Sequence, residues 1–436
     1  MSSIYISDYR KKLTTPEKAA ELIANDNTVV PGLNAAEPPA LLQAIANRLH
    51  DGDLKKIKFF SFNAQKHAAS TVLAPALSDC VEAYSWFASG SVRSSIKVGL
   101  NYLVPAYLHE VPRLVQEFME VDVTVTTVSP MDQSGYFSLG TSCDYTSPAA
   151  RHCKTLIVEV NKNMPRVFGE SLVHLSEVDA IVENTVPLLE LQPPALKPED
   201  AIIGKIIAEM IPDGATIQLG IGGLPNAVTP YLMNHQNLGI HSELFVIGMV
   251  DLVEKGVVNG SKKSLYPRKH VFTTAFGNKR MYDFMDNNPA MESYPASYML
   301  DPAVIAQNDN MISVNSILEV DLLGQCNAEY LAGSQFSGVG GQLDFVRGAF
   351  NSKGGKSILT FNSTAKKGEV SRIVPRFKTG TAITTPRMDV HYLVSEYGAI
   401  NLKGKSTRDR ALDIISIAHP KFRDELLRAA EDMYLV

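Results

Sequence analysis

Gln218–Val228 reads QLGIGGLPNAV. Apolar residues run into a glycine cluster, and Pro225 then stands where a helix can open, because proline is tolerated in a first helical turn. Strand, glycine loop and helix N-terminus in succession make the opening of a βα unit. Just upstream, Ala208-Glu209-Met210-Ile211 is followed by Thr216-Ile217-Gln218-Leu219-Gly220. The pair echoes Ala20-Glu21-Leu22-Ile23 followed by Thr28-Val29-Val30-Pro31-Gly32, at a constant offset of 188 residues (216 − 28). Each copy reads as helix, short turn, strand, glycine-containing loop and helix, which predicts a duplicated α/β unit. The copies differ at the loop. Gly32, Asn34 and Ala35 in the first face Gly220, Gly222 and Gly223 in the second, which assigns ligand handling to the second half.

Outward from this motif, strand-like and helical stretches alternate. Lys55–Asn63, Val121–Val128, Thr155–Asn161 and Asp179–Glu183 have the short apolar runs of strands, while Tyr102–Glu120 and Pro198–Ile211 read as helices. Such alternation predicts an α/β fold with largely parallel sheets. Pro187–Pro198 (PLLELQPPALKP) has no periodicity, and its Pro–Pro pair breaks both helix and sheet, so it reads as a linker. The expected division is residues 1–190 and 191–436. A chain of 436 residues is ample for two cores.

With 41 Lys+Arg against 46 Asp+Glu the chain carries a formal charge of −5, which argues against nucleic acid or an anionic membrane as the main partner. No apolar stretch approaches the ~18 residues of a membrane span, and the polar start MSSIYISDYRKKL is unlike a signal peptide. Cys80, Cys143, Cys153 and Cys326 are too scattered for a disulfide scaffold and read as thiols of a reducing cytoplasm. Cys143, His152 and Cys153 lack metal-ligand spacing, so no metal is expected.

Glycines let backbone N–H groups approach a ligand, and a helix N-terminus behind them favours negative charge, so the 218–228 loop suits a phosphate or a developing oxyanion. It equally suits a tight turn with no ligand. It is not a dinucleotide fingerprint, because Pro225 stands where the third glycine would fall. Ser337–Ala349 (SGVGGQLDFVRGA) is a second glycine run, and both loops are expected to converge at strand ends or to be plain surface turns. Glu243, in HSELFVIGMV, lies at the leading end of what reads as a buried strand, and a buried carboxylate is costly unless paired or used. It is either a working group, or an acid that sits solvated just outside the sheet or pairs with an arginine such as Arg280 or Arg347. His241 reads as a satisfied histidine. No GxSxG elbow is present, and nothing near Cys143 would lower its pKa.

Several long segments in order, GYFSLGTSCDYT, VNKNMPRVFGES, QLGIGGLPNAV, HSEL before GMVDL, SGVGGQLDF, STAKKG and SEYGAINLKGKSTRDRA, resemble the acetyl-CoA hydrolase/transferase family, the class I CoA-transferases. The likeness is closest to enzymes acting on 4-hydroxybutyrate or butyrate. It implies two similar α/β domains with the site between them, Glu243 as the catalytic glutamate and Gly341 as an oxyanion-hole glycine that also meets CoA. By the same likeness Gly220, Ile221, Gly222, Gly223 and Leu224 form a CoA-binding loop, with Ser337 and Lys366 as further CoA contacts.

The resemblance implies ping-pong CoA transfer through a glutamyl-CoA thioester, from acetyl-CoA or another short acyl-CoA to a short-chain carboxylate. Coenzyme A is substrate rather than a resident cofactor. A homodimer or higher oligomer in the cytoplasm is implied as well. An acyl-CoA hydrolase on the same fold and a non-catalytic CoA-binding protein are the competing readings. Asn63 and Gln65, from SFNAQ in the first half, are candidates to line the acyl pocket.

Overall fold

The computed structural model describes residues 3–191, 195–220 and 222–436. Two parallel sheets dominate it. Across the first, the order is Ala180–Glu183, Thr155–Val160, Val123–Val128, Thr28–Pro31, Ile57–Phe62, Val81–Phe87 and Tyr102–Leu103, all parallel. Thr216–Leu219 is the middle strand of the second, flanked by Met311–Ser316 and Gly239–Phe245. Lys356–Thr360 and Tyr392–Ser395 continue on the first side, His270–Ala275 and Met291–Ser293 on the other.

Counting the main strands of each sheet from its N-terminal one, both run seven-six-five-one-two-three-four. The echoed segments Thr28–Pro31 and Thr216–Leu219 are strand one in each. The second sheet gains an antiparallel edge, Gly398–Asn401, and at its opposite edge Phe168–Gly169, contributed from the first half of the chain.

Local chemistry accounts for the elements. Pro198–Met210 begins with proline, carries Glu199 and Asp200 in its first turn, and Asp200 accepts the Lys197 N–H at 3.0 Å; Pro212 lies just beyond its end. Tyr102–Glu120 is not one helix. It divides into the edge strand Tyr102–Leu103, a 3-10 turn Leu108–Glu110, and short helical pieces at Val111–Arg113 and Leu114–Phe118. Pro105 and Pro112 explain the division, since each removes an N–H and constrains the residue before it. Of the linker, the described residues 187–191 and 195–197 are neither helix nor strand. Leu191 donates its N–H to Gly277 O at 2.7 Å, and Pro193 and Pro194 lie outside the described residues.

Each sheet has its own apolar core, and a further cluster draws on both halves. Val30, Phe62, Trp86 and Tyr145 pack there with Val271, Met299, Leu300 and Phe345, all buried. This shared core fixes the carboxyl ends of the two sheets relative to each other. No helix among the described residues is long and apolar enough to cross a membrane.

Candidate active site

A cleft of about 510 Å³ opens where the carboxyl ends of strands from both sheets meet. Asn34 and Asn63 follow the first and second strands of the first sheet, and Phe87 ends the third. From the second sheet come Gly220 after its first strand, Phe276 after its third, and Asn315 and Ser316 at the end of Met311–Ser316. Strand ends are the usual place for α/β sites, because loops there diverge and leave a crevice. The loop carrying Ser337, Gly338, Gly340 and Gly341 covers one side.

Glu243 lies in this cleft, two residues from the carboxyl end of the strand Gly239–Phe245. The expectation that a strand continues beyond it is corrected: Ile247–Glu254 is a helix, so Glu243 stands at the trailing end of its strand. Among the described residues its carboxyl pairs with no arginine. Arg280 holds Asp251 and Glu254, and Arg347 holds Asp389. Instead the Gly341 N–H donates to Glu243 Oε2 at 3.0 Å. Gly341 also caps the helix Gln342–Asn351, so the positive end of that helix faces the carboxylate.

Burial pushes the Glu243 carboxyl up to about 7; the Gly341 N–H opposes this, while Asp344 and Asp144 reinforce it. At neutral pH the anion is therefore present but weakly stabilised, a useful state for a nucleophile. A Cβ at 341 would meet Leu300 Cδ2 at 2.4 Å and Glu243 Oε2 at 2.5 Å, so any other residue there would displace the Glu243 carboxylate or Leu300.

Gly220 shows the same close approach, with a Cβ meeting Asn315 Oδ1 at 2.6 Å. Asn315 and the buried Gln218 exchange reciprocal amide hydrogen bonds of 3.0 and 3.1 Å beneath it. Gly222, at φ 133°, adopts a conformation closed to other residues, and Gly223 opens the helix Gly223–Val228 with Leu224 buried in it. Ile221 lies outside the described residues. Ser337 lines the cleft, its hydroxyl donating to Ala328 O at 3.1 Å. Lys366 is not among the lining residues; it sits at φ 49° in the turn between Thr364–Ala365 and Val370–Ser371.

His241 is buried in the same strand, bonded to Met299 O at 2.9 Å and Asn308 Nδ2 at 3.2 Å. Burial lowers it to about 3, so it is a neutral packing group. Cys143 is buried and its thiol is pushed up by burial. Asn63 and Gln65 do line the cleft, joined by Asn34, which the sequence reading left out. Asn34 Oδ1 accepts from Asn63 Nδ2 at 2.7 Å and from Gln65 Nε2 at 3.2 Å. Asn34 and Asn63 sit at φ 54° and 53°, so a left-handed asparagine at a strand end was the signal available.

Comparison with known proteins decides the family. Residues 2–190 match the acetyl-CoA hydrolase/transferase N-terminal domain and residues 277–430 its C-terminal domain. The chain belongs to the acetyl-CoA hydrolase/transferase family. It is 46% identical to the 4-hydroxybutyrate coenzyme A transferase of Clostridium kluyveri, over 96% of this chain and 97% of that one. Its structure superposes on RipA from Yersinia pestis with a TM-score of 0.97 at 47% identity, covering both chains fully. A 4-hydroxybutyrate CoA-transferase from Porphyromonas gingivalis gives 0.83 at 38% identity, over 98% of this chain and 100% of that one. As a member of that family the chain is an enzyme of CoA transfer.

Proposed function

We propose that the protein moves CoA from acetyl-CoA, or another short acyl-CoA, to a short carboxylate such as 4-hydroxybutyrate or butyrate, with Glu243 as nucleophile. Residues 1–190 and 191–436 act as its two units, in a homodimer or larger assembly. The observation that carries this reading is the Gly341 N–H held 3.0 Å from the Glu243 carboxylate in a cleft shared by both sheets.

The chemistry follows from the charges. Ionised Glu243 attacks the thioester carbonyl and the C–S bond breaks, leaving an acyl-glutamyl anhydride and CoA thiolate. The thiolate then attacks the glutamyl carbonyl, releasing the first carboxylate and leaving a glutamyl-CoA thioester. The acceptor carboxylate attacks that thioester, and the returning thiolate carries the new acyl group away, regenerating Glu243. No proton has to move, because every nucleophile and leaving group is an anion. Negative charge develops on the glutamyl oxygen in the tetrahedral steps, and Gly341 already donates to it. Such a donor is worth about 3 kcal/mol in the transition state.

The Gly220–Leu224 loop, Ser337 and Lys366 hold the CoA moiety, whose remote binding favours the acyl steps. Phe87, Leu244, Phe276 and Phe336 along the cleft limit water at the thioester. Acetyl-CoA incubated with 4-hydroxybutyrate is expected to yield 4-hydroxybutyryl-CoA by chromatography, with little free thiol. Free CoA appearing at one rate with or without any acceptor would assign the protein as a hydrolase instead.

A further inference from the structure

The same cleft carries a cation that the transfer chemistry does not use. Arg93, half-buried, lines it from the segment that follows Val81–Phe87. Its Nε donates to Phe336 O, and its guanidinium carbon stands 3.7 Å over the Phe336 ring. No carboxylate pairs with it among the described residues, in a protein with more acids than bases. A guanidinium fixed on one edge and one face has two Nη groups left over, the geometry that grips an oxyanion in two places. The Glu243 carboxyl accepts from the Gly341 N–H, while the Arg93 guanidinium is engaged with Phe336.

We infer that Arg93 anchors a remote anionic group of the substrate, either a phosphate of coenzyme A or the second carboxylate of a dicarboxylic acid. This rests on the reading that the cleft takes acyl-CoA. Both groups are oxyanions matched to the same fork, and stacking on Phe336 presets the guanidinium plane before the substrate arrives. The contact spans both halves of the chain, so anion binding also steadies the loop that ends in Gly341.

The test compares wild-type protein, Arg93→Gln and Arg93→Lys, using acetyl-CoA and acetyl-pantetheine as donors and succinate and butyrate as acceptors. If the anion is a phosphate, Arg93→Gln lowers the preference in kcat/KM for acetyl-CoA over acetyl-pantetheine by about 10- to 100-fold. If it is a carboxylate, the preference for succinate over butyrate falls by that factor and the donor preference holds. Arg93→Lys recovers part of either loss. A uniform drop with every substrate, as loss of the Phe336 contact alone would give, overturns the inference, and so does no change. Wild-type protein that transfers from neither donor refutes the transferase reading itself. Calorimetric binding of CoA against pantetheine, in wild type and Arg93→Gln, then still reports on Arg93 without turnover.

Discussion

Replacing Glu243 with glutamine should abolish transfer and at the same time stabilise the protein, increasingly as pH rises. Burial displaces the carboxyl from an ordinary 4.5 to about 7. At about 1.4 kcal/mol per tenfold change in ionisation constant, the folded state bears a penalty of about 3 kcal/mol once the group is ionised. Access to water through the cleft reduces that to about 1–3 kcal/mol. The sign follows from which state holds the proton. Between pH 4.5 and about 7 the unfolded chain has released it and the folded chain has not, so stability falls as pH rises. Above about 7 the full penalty is present. Glutamine keeps an oxygen for the Gly341 N–H and carries no charge. Urea denaturation of both proteins at pH 5 and pH 8.5 should show the variant more stable, with the larger gap at pH 8.5. A variant that is equally or less stable at pH 8.5 would mean that this carboxylate is not held under strain by its surroundings.

The same carboxyl sets the pH profile: kcat/KM should climb as pH rises through about 7 and level off above, and Asp344→Asn should move that limb to lower pH by removing a neighbouring negative charge. Gly341→Ala should cut kcat by about 10²- to 10³-fold, because the new Cβ displaces Glu243 and the N–H it receives, while calorimetry finds CoA affinity little changed. Gly220→Ala should lower stability by about 1–3 kcal/mol in urea titration, since its Cβ forces Asn315 away from the buried Gln218 amide.

Much of the architecture was legible because its signals are local. Strand, glycine loop and helix recur at Thr28 and at Thr216, and these segments are the matching first strands of two sheets with one topology. The helix Pro198–Met210 was legible from its proline and its acidic first turn. Position along a strand was harder to read. Leu244–Val250 is apolar across a strand end and a helix start with no polar break, and periodicity cannot divide such a run. Tyr102–Glu120 reads as one helix only if Pro105 and Pro112 are passed over, and the chain breaks around them.

Glu243 and Gly341 were singled out as residues, but their meeting, 98 positions apart in sequence, is a tertiary fact. Arg93 and Phe336 are farther apart still, 243 positions, and no local pattern marks either. Asn34 had a signal that went unused: a polar residue two positions after Gly32, in the loop that follows a buried strand, where asparagine tolerates a left-handed backbone.

The most direct measurement is peptide-level mass spectrometry after brief incubation with acetyl-CoA in the absence of any acceptor acid. A CoA moiety covalently attached to the peptide bearing Glu243, discharged on adding acetate, is the predicted result. An unmodified peptide from protein that still exchanges acyl groups, or a CoA adduct on another residue, would contradict it.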